Sequence, residues 1–260
     1  MLKIGAQIAT TSMTAILLLA AMLTIPAIAR AHDHPQVDDN IPLRVEDAYA
    51  TPYRNREVQG VFRYERTDKG EDRFLLEPII EVGVWHNTEV ELSAPFYLGD
   101  ADDRGSGDIN LSGLYNFNQE GLWLPALGLK GKLTFPSGED SEGVDTELKF
   151  LATKTLGRTS WLNQLHVNAS WFYNNERLDD EREHYWAAVL GWSARLTTDL
   201  IFVADVWREA TKIKDEEQNV AEIGLRYMLR PNLVIAIGGG PGFGDESPEF
   251  LTTTGFQYSF

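Results

Sequence analysis

The feature that most constrains this chain is an alternation of apolar and polar residues that recurs in blocks of roughly ten from about residue 57 to the C-terminus. In 219–230, Ala221, Ile223, Leu225, Tyr227 and Leu229 share one face, with Glu222, Gly224, Arg226 and Met228 on the other. In 108–118, Ile109, Leu111, Gly113, Tyr115 and Phe117 oppose Asn110, Ser112, Leu114 and Asn116. In 88–98, Val90, Leu92, Ala94 and Phe96 oppose Glu89, Glu91, Ser93 and Tyr97, with Pro95 a weak point because it cannot donate to a ladder. The last block sets Phe250, Thr252, Thr254, Phe256, Tyr258 and Phe260 against Leu251, Thr253, Gly255, Gln257 and Ser259. A period of two makes strands with unlike faces.

Twelve such blocks follow one another: 57–66, 73–85, 88–98, 108–118, 122–135, 145–156, 161–174, 184–196, 199–208, 219–230, 232–240 and 249–260. Their connections alternate between short and long. The short ones lie near 86–87, 119–121, 157–160, 197–198 and 230–232; the longer, mostly acidic ones at 67–72, 99–107, 136–144, 175–183, 209–218 and 241–248. An antiparallel up-and-down transmembrane β-barrel of about 12 strands produces this pattern, with tight turns at one rim and loops at the other. A Greek-key sandwich has no reason to. Aromatic residues support the barrel: Trp85, Phe117, Trp123, Trp161, Trp192 and Tyr227 gather near the short turns. Tyr64, Phe74, Phe96, Phe135, Tyr173, Trp186 and Phe250 gather near the long loops. Strands are aromatic-rich in any case, but clustering at both ends suits two membrane interfaces.

Composition narrows the function. The 260 residues carry 23 Lys and Arg against 39 Asp and Glu, a net charge of −16, which argues against a nucleic-acid partner. The absence of Cys excludes disulfides, thiolate metal sites and thiol catalysis. A mean hydropathy of −0.26 disfavours a bundle of membrane helices but not a barrel with a wet lumen. At the N-terminus, Lys3, an apolar run over 16–25 and small residues at Ala29 and Ala31 read as a signal peptide, residues 1–31, cleaved after Ala31 or, second, after Ala29. Its removal takes two cations and no acid. Residues 32–56 then form an N-terminal segment that either plugs the lumen or stays periplasmic, before the barrel at 57–260.

Several stretches resemble one family. They are Gly107-Asp108-Ile109, the run from Leu124 to Gly143, the run from Tyr227 to Leu233, and the closing Gly255 to Phe260. Together they are similar to the outer-membrane family named for the meta pathway of phenol degradation, whose members are described as transporters. The resemblance covers roughly 45–260. It implies a barrel in the bacterial outer membrane and uptake of hydrophobic or aromatic compounds, and it supplies no catalytic or binding residues. Outer-membrane barrels in general end in an aromatic residue read by the barrel-assembly machinery, a role that falls here to Phe256, Tyr258 and Phe260.

If the apolar face meets lipid, the other lines the lumen. The lumen-lining candidates are Arg63, Glu77, Glu81, Glu89, Glu91, Lys130, Lys132, Lys149, Asp205 and Arg226, joined by Glu65, Glu147 and Glu222. They make either a cross-lumen ion-pair network that rigidifies the barrel or a charged constriction that selects solutes. His166, Asn168 and Ser170 share a face of strand seven and invite a hydrolase reading. Residues i and i+2 on a strand are roughly 6–7 Å apart, however, too far for a nucleophile and its base by backbone spacing alone. His32-Asp33-His34 reads as a polar terminus rather than a metal site, and Gly238 to Gly242 as a strand-end bend. Asp100 to Gly105 approaches calcium-loop spacing, but Arg104 stands where an oxygen ligand is required. The acidic loops, including Asp102, Asp103, Glu139, Asp140 and Glu142, suit contact with lipopolysaccharide. The expectation is a passive channel for small hydrophobic or aromatic solutes, without cofactor, metal or enzymatic activity. A sealed structural or adhesive barrel is the alternative, and a membrane-embedded hydrolase the third.

Overall fold

The computed structural model describes residues 37–100, 104–138, 143–158 and 162–260. The signal peptide, His32 to His34, Trp161 and the loop acids Asp102, Asp103, Glu139, Asp140 and Glu142 lie outside the described residues. Fourteen strands occur among the described residues. They are β1 (Arg56–Arg66), β2 (Asp72–Trp85), β3 (Thr88–Ser93), β4 (Phe96–Gly99), β5 (Gly105–Ser106), β6 (Ile109–Asn118) and β7 (Ala126–Phe135). β8 (Asp145–Arg158), β9 (Leu162–Tyr173), β10 (His184–Arg195), β11 (Leu200–Ala210), β12 (Glu217–Arg230), β13 (Leu233–Gly240) and β14 (Phe250–Ser259) follow.

β3 and β4 pair successively with β2, and β5 with β6 likewise continues a single crossing, so the sheet has twelve spans. Counted by span, every pairing is to a sequence neighbour and antiparallel. The exception closes the circle: β1 pairs with β2 on one side and, from Glu57↔Ser259 to Arg66↔Phe250, with β14 on the other. The described residues therefore form an all-β closed antiparallel barrel of twelve spans.

The alternation explains itself in space. On β12, Ile223, Leu225 and Tyr227 are exposed while Glu222 and Arg226 are buried. On β6, Leu111, Tyr115 and Phe117 face out, while Ser112 and Asn116 are buried. An outside this apolar with a polar inside is the reverse of a water-soluble protein and suits a lipid surround. The gap between β3 and β4 falls at Ala94-Pro95, where the missing N–H interrupts the ladder.

Most strand boundaries lie within two residues of expectation, and one lies further off. The block expected at 122–135 begins only at Ala126, and Leu122, Trp123 and Leu124 belong to a longer turn. Asn118 builds that turn: its amide donates to Pro125 O at 2.8 Å and accepts from Leu127 N at 3.2 Å. Trp123, 88% exposed, projects from the rim.

Candidate functional site

Residues 37–55 lead into β1 and run through the interior of the barrel. They enclose a short loop: Val37 N donates to Asp47 Oδ2 at 2.8 Å and Asp47 N returns a bond to Val37 O at 2.9 Å. Arg54 and Asn55 pair with Gly83 of β2, but the stretch from Val45 to Thr51 lies along no strand, and a buried peptide group must find a partner. Side chains of the wall supply them. Val45 N donates to Asp205 Oδ2 (2.9 Å), Glu46 N to Asn168 Oδ1 (2.9 Å), Ala48 N to Thr153 Oγ1 (3.0 Å) and Thr51 N to Glu89 Oε2 (2.6 Å). Asn168 Nδ2 and Asn116 Nδ2 donate to the carbonyls of Glu46 (2.8 Å) and Ala48 (2.7 Å).

Apolar side chains of the segment complete three small cores against the wall. Val37, Leu43 and Val45 pack with Val203, Trp207, Val220 and Leu251. Ile41 packs with Val61 and Ile79, and Ala48 with Leu114 and Leu151. Glycines on the wall make the room. A Cβ on Gly191 would lie 2.3 Å from Val45 Cγ2, one on Gly224 2.6 Å from Pro42 Cγ, and one on Gly238 2.6 Å from Leu43 Cδ2.

Charge fixes the segment further. Lys130 Nζ meets Glu46 at 2.8 Å and Glu91 at 3.0 Å; Lys149 Nζ meets Asp39 at 2.6 Å and Glu46 at 3.1 Å. Arg226 bonds Asp38 at 3.0 Å, Gln257 at 2.8 Å and the carbonyl of Ile41. Arg44 pairs with Glu209 and lies 4.3 Å over the Trp207 ring. Burial works against the ionisation of Asp39, but Lys149 and then Lys130 outweigh it and hold that carboxyl below its ordinary value. Burial pushes the Asp47 carboxyl up to about 8, despite the N–H groups of Val37 and Tyr49 that it accepts. A polar cavity with room for about one water lies beside it, lined by Glu46, Gln59, Glu81, Glu89 and Lys130 among others.

Glu81, Glu89, Lys130, Lys149, Asp205 and Arg226 are buried, and Arg63, Glu77, Glu91 and Lys132 are half-buried. Seven of the ten touch the inner segment, all but Glu77, Glu91 and Lys132. Arg63 reaches Asn40 at 2.6 Å, and Glu81 takes the Thr51 hydroxyl. Glu77 and Lys132 bond instead within the wall, to Ser93 (2.7 Å) and Glu147 (2.7 Å). Sequence reasoning missed the partners contributed by the segment: Asp38, Asp39, Arg44, Glu46 and Thr51.

His166, Asn168 and Ser170 form no mutual constellation. His166 contacts Thr153 Oγ1 at 3.1 Å and Ser193 Oγ at 2.9 Å, Asn168 holds the segment, and Ser170 donates to Glu147 at 2.8 Å. β14 exposes Phe256 and Tyr258 on its outer face just before Phe260.

Comparison with known proteins places this geometry. The chain resembles an outer membrane channel from Pseudomonas putida F1, at 16% identity and a TM-score of 0.62, over 86% of this chain and 100% of that one. It resembles the KdgM porin at 10% identity and a TM-score of 0.56, over 78% and 99% of the two chains. The β domain of the Bordetella autotransporter BrkA shares the fold at 11% identity and a TM-score of 0.50, over 79% and 98%. No curated protein sequence matches the chain. The model of one family, described as "Putative MetA-pathway of phenol degradation", matches residues 46–260. The chain belongs to that family, and its fold is that of bacterial outer-membrane barrels.

Proposed function

We propose that the protein is an outer-membrane channel for passive uptake of small solutes, with residues 37–55 resident in the lumen as the element that sets its width. The observation that carries this reading is the segment inside a closed barrel, held to a largely polar wall by ion pairs and hydrogen bonds with only small apolar clusters between. Family membership supports small hydrophobic or aromatic compounds as the solutes. Residues 1–31 act as the export signal, Phe256, Tyr258 and Phe260 as the mark for assembly, and the acidic loops as the face toward lipopolysaccharide. The reading involves no catalysis.

Purified full-length protein in planar bilayers or liposomes tests it. Small conductance or flux of phenols and aromatic acids is expected, rising when Glu46→Gln loosens the segment. A second reading, a sealed structural barrel, draws on the same segment, whose seats against Gly191, Gly224 and Gly238 are close. Zero flux in both proteins would favour it and overturn the channel.

A further inference from the structure

Several carboxylates inside the barrel meet a cation: Glu46 meets two lysines, Glu91 meets Lys130, and Glu147 meets Lys132. Asp205 and Glu222 do not. They stand directly opposite each other in the β11–β12 register, both pointing inward, 6% and 3% exposed. Directly opposed residues of an antiparallel pair have their Cβ atoms about 4.5–5.5 Å apart, and like charges there repel.

Each carboxylate has one oxygen committed. Asp205 Oδ2 accepts from Val45 N, and Glu222 Oε2 from Trp207 Nε1 at 2.8 Å. The other oxygens, Asp205 Oδ1 and Glu222 Oε1, are buried and have no partner among the described residues. Buried acceptors are almost always satisfied, so two facing orphans point to a missing positive group between them.

The nearest cationic side chains are occupied elsewhere. Arg44 is held by Glu209, and Arg63 by Asn40 at 2.6 Å and Thr253 at 3.0 Å. They and Glu65 complete the charged surroundings.

We propose that Asp205 and Glu222 together bind one small monovalent cation in the inner wall, beside the segment's Val45. Two free carboxylate oxygens suit such an ion. Water would complete its shell, and the three or more ligating side chains of a calcium site do not occur together among the described residues. The site stands whether or not solutes cross the barrel. By mass action, an ion bound only in the folded state raises stability with its concentration.

Thermal unfolding of the detergent-solubilised full chain should therefore climb with the logarithm of NaCl concentration, and should not climb in N-methylglucamine chloride at matched ionic strength. Asp205→Asn and Glu222→Gln keep the acceptors for Val45 and Trp207, and each should abolish the difference between the salts. If one variant fails to fold, the other and the wild-type salt comparison still decide. Equal melting of wild type in the two salts would overturn the proposal. So would a sodium effect that survives in both variants, or a pair that responds to pH alone, the mark of a shared proton.

Discussion

Val45 occupies the volume that a side chain at Gly191 would need: a Cβ there would come within 2.3 Å of Val45 Cγ2. Gly191→Ala should therefore press on the segment and destabilise its seated state by about 1–3 kcal/mol, the usual range for overpacking. The chain has no cysteine, so Leu43→Cys supplies a single thiol at a position that is 0% exposed. Maleimide labelling of that thiol should be slow, faster with Gly191→Ala, and slow again when Val45→Ala is added.

Glu46 answers two lysines at once. Glu46→Gln keeps the backbone bonds to Asn168 but leaves both lysines one partner short. Breaking a buried pair from one side costs about 3–5 kcal/mol, and the loss here should be at or below the lower end, because Glu91 and Asp39 remain. The urea midpoint for conversion of the folded to the unfolded gel band should fall accordingly.

Asn168 both donates to and accepts from the Glu46 peptide. Asn168→Ala orphans a buried N–H and a buried C=O, at about 1–3 kcal/mol for each. Ser170→Ala loses one bond to Glu147 and should cost about 1 kcal/mol. Unequal shifts of the same urea midpoint check the ranking.

Protonation of Asp47 gives a pH dependence of known sign. Its carboxyl rises from 3.8 to about 8 on folding, so between those values the folded state holds a proton that the unfolded state has lost. Stability from this group is complete below about pH 4 and declines as pH rises toward 8. Asp39, lowered instead, acts oppositely and only in the acid range below its ordinary 3.8. The urea midpoint should fall from pH 5 to pH 9, and Asp47→Asn should flatten that response.

The barrel was readable because each of its rules is local. Period two put Glu222 and Arg226 opposite Ile223 and Tyr227, Pro95 marked the break between β3 and β4, and connection lengths gave the up-and-down order. The turn at 119–125 escaped because Leu122, Trp123 and Leu124 look like a strand start, and only the Asn118 side chain makes them a turn. The placement of the inner segment was not local at all. Its partners range from Val61 to Leu251, a spacing that no window of sequence contains. A trace did exist: Gly191, Gly224 and Gly238 sit on strands, where a missing side chain signals close approach of another backbone.

Four peptide N–H groups of the segment, at Val45, Glu46, Ala48 and Thr51, are met by side chains of four different strands. Every amino acid except proline carries that N–H. The wall thus measures length and phase along this stretch and is indifferent to most of its spelling; the letters that count are Glu46, for its charge, Asp47, for the loop it closes, and the small or compact residues that must clear the wall. Sequence drift at the remaining positions should be cheap, while inserting or deleting one residue between Val45 and Thr51 would put every later contact out of step.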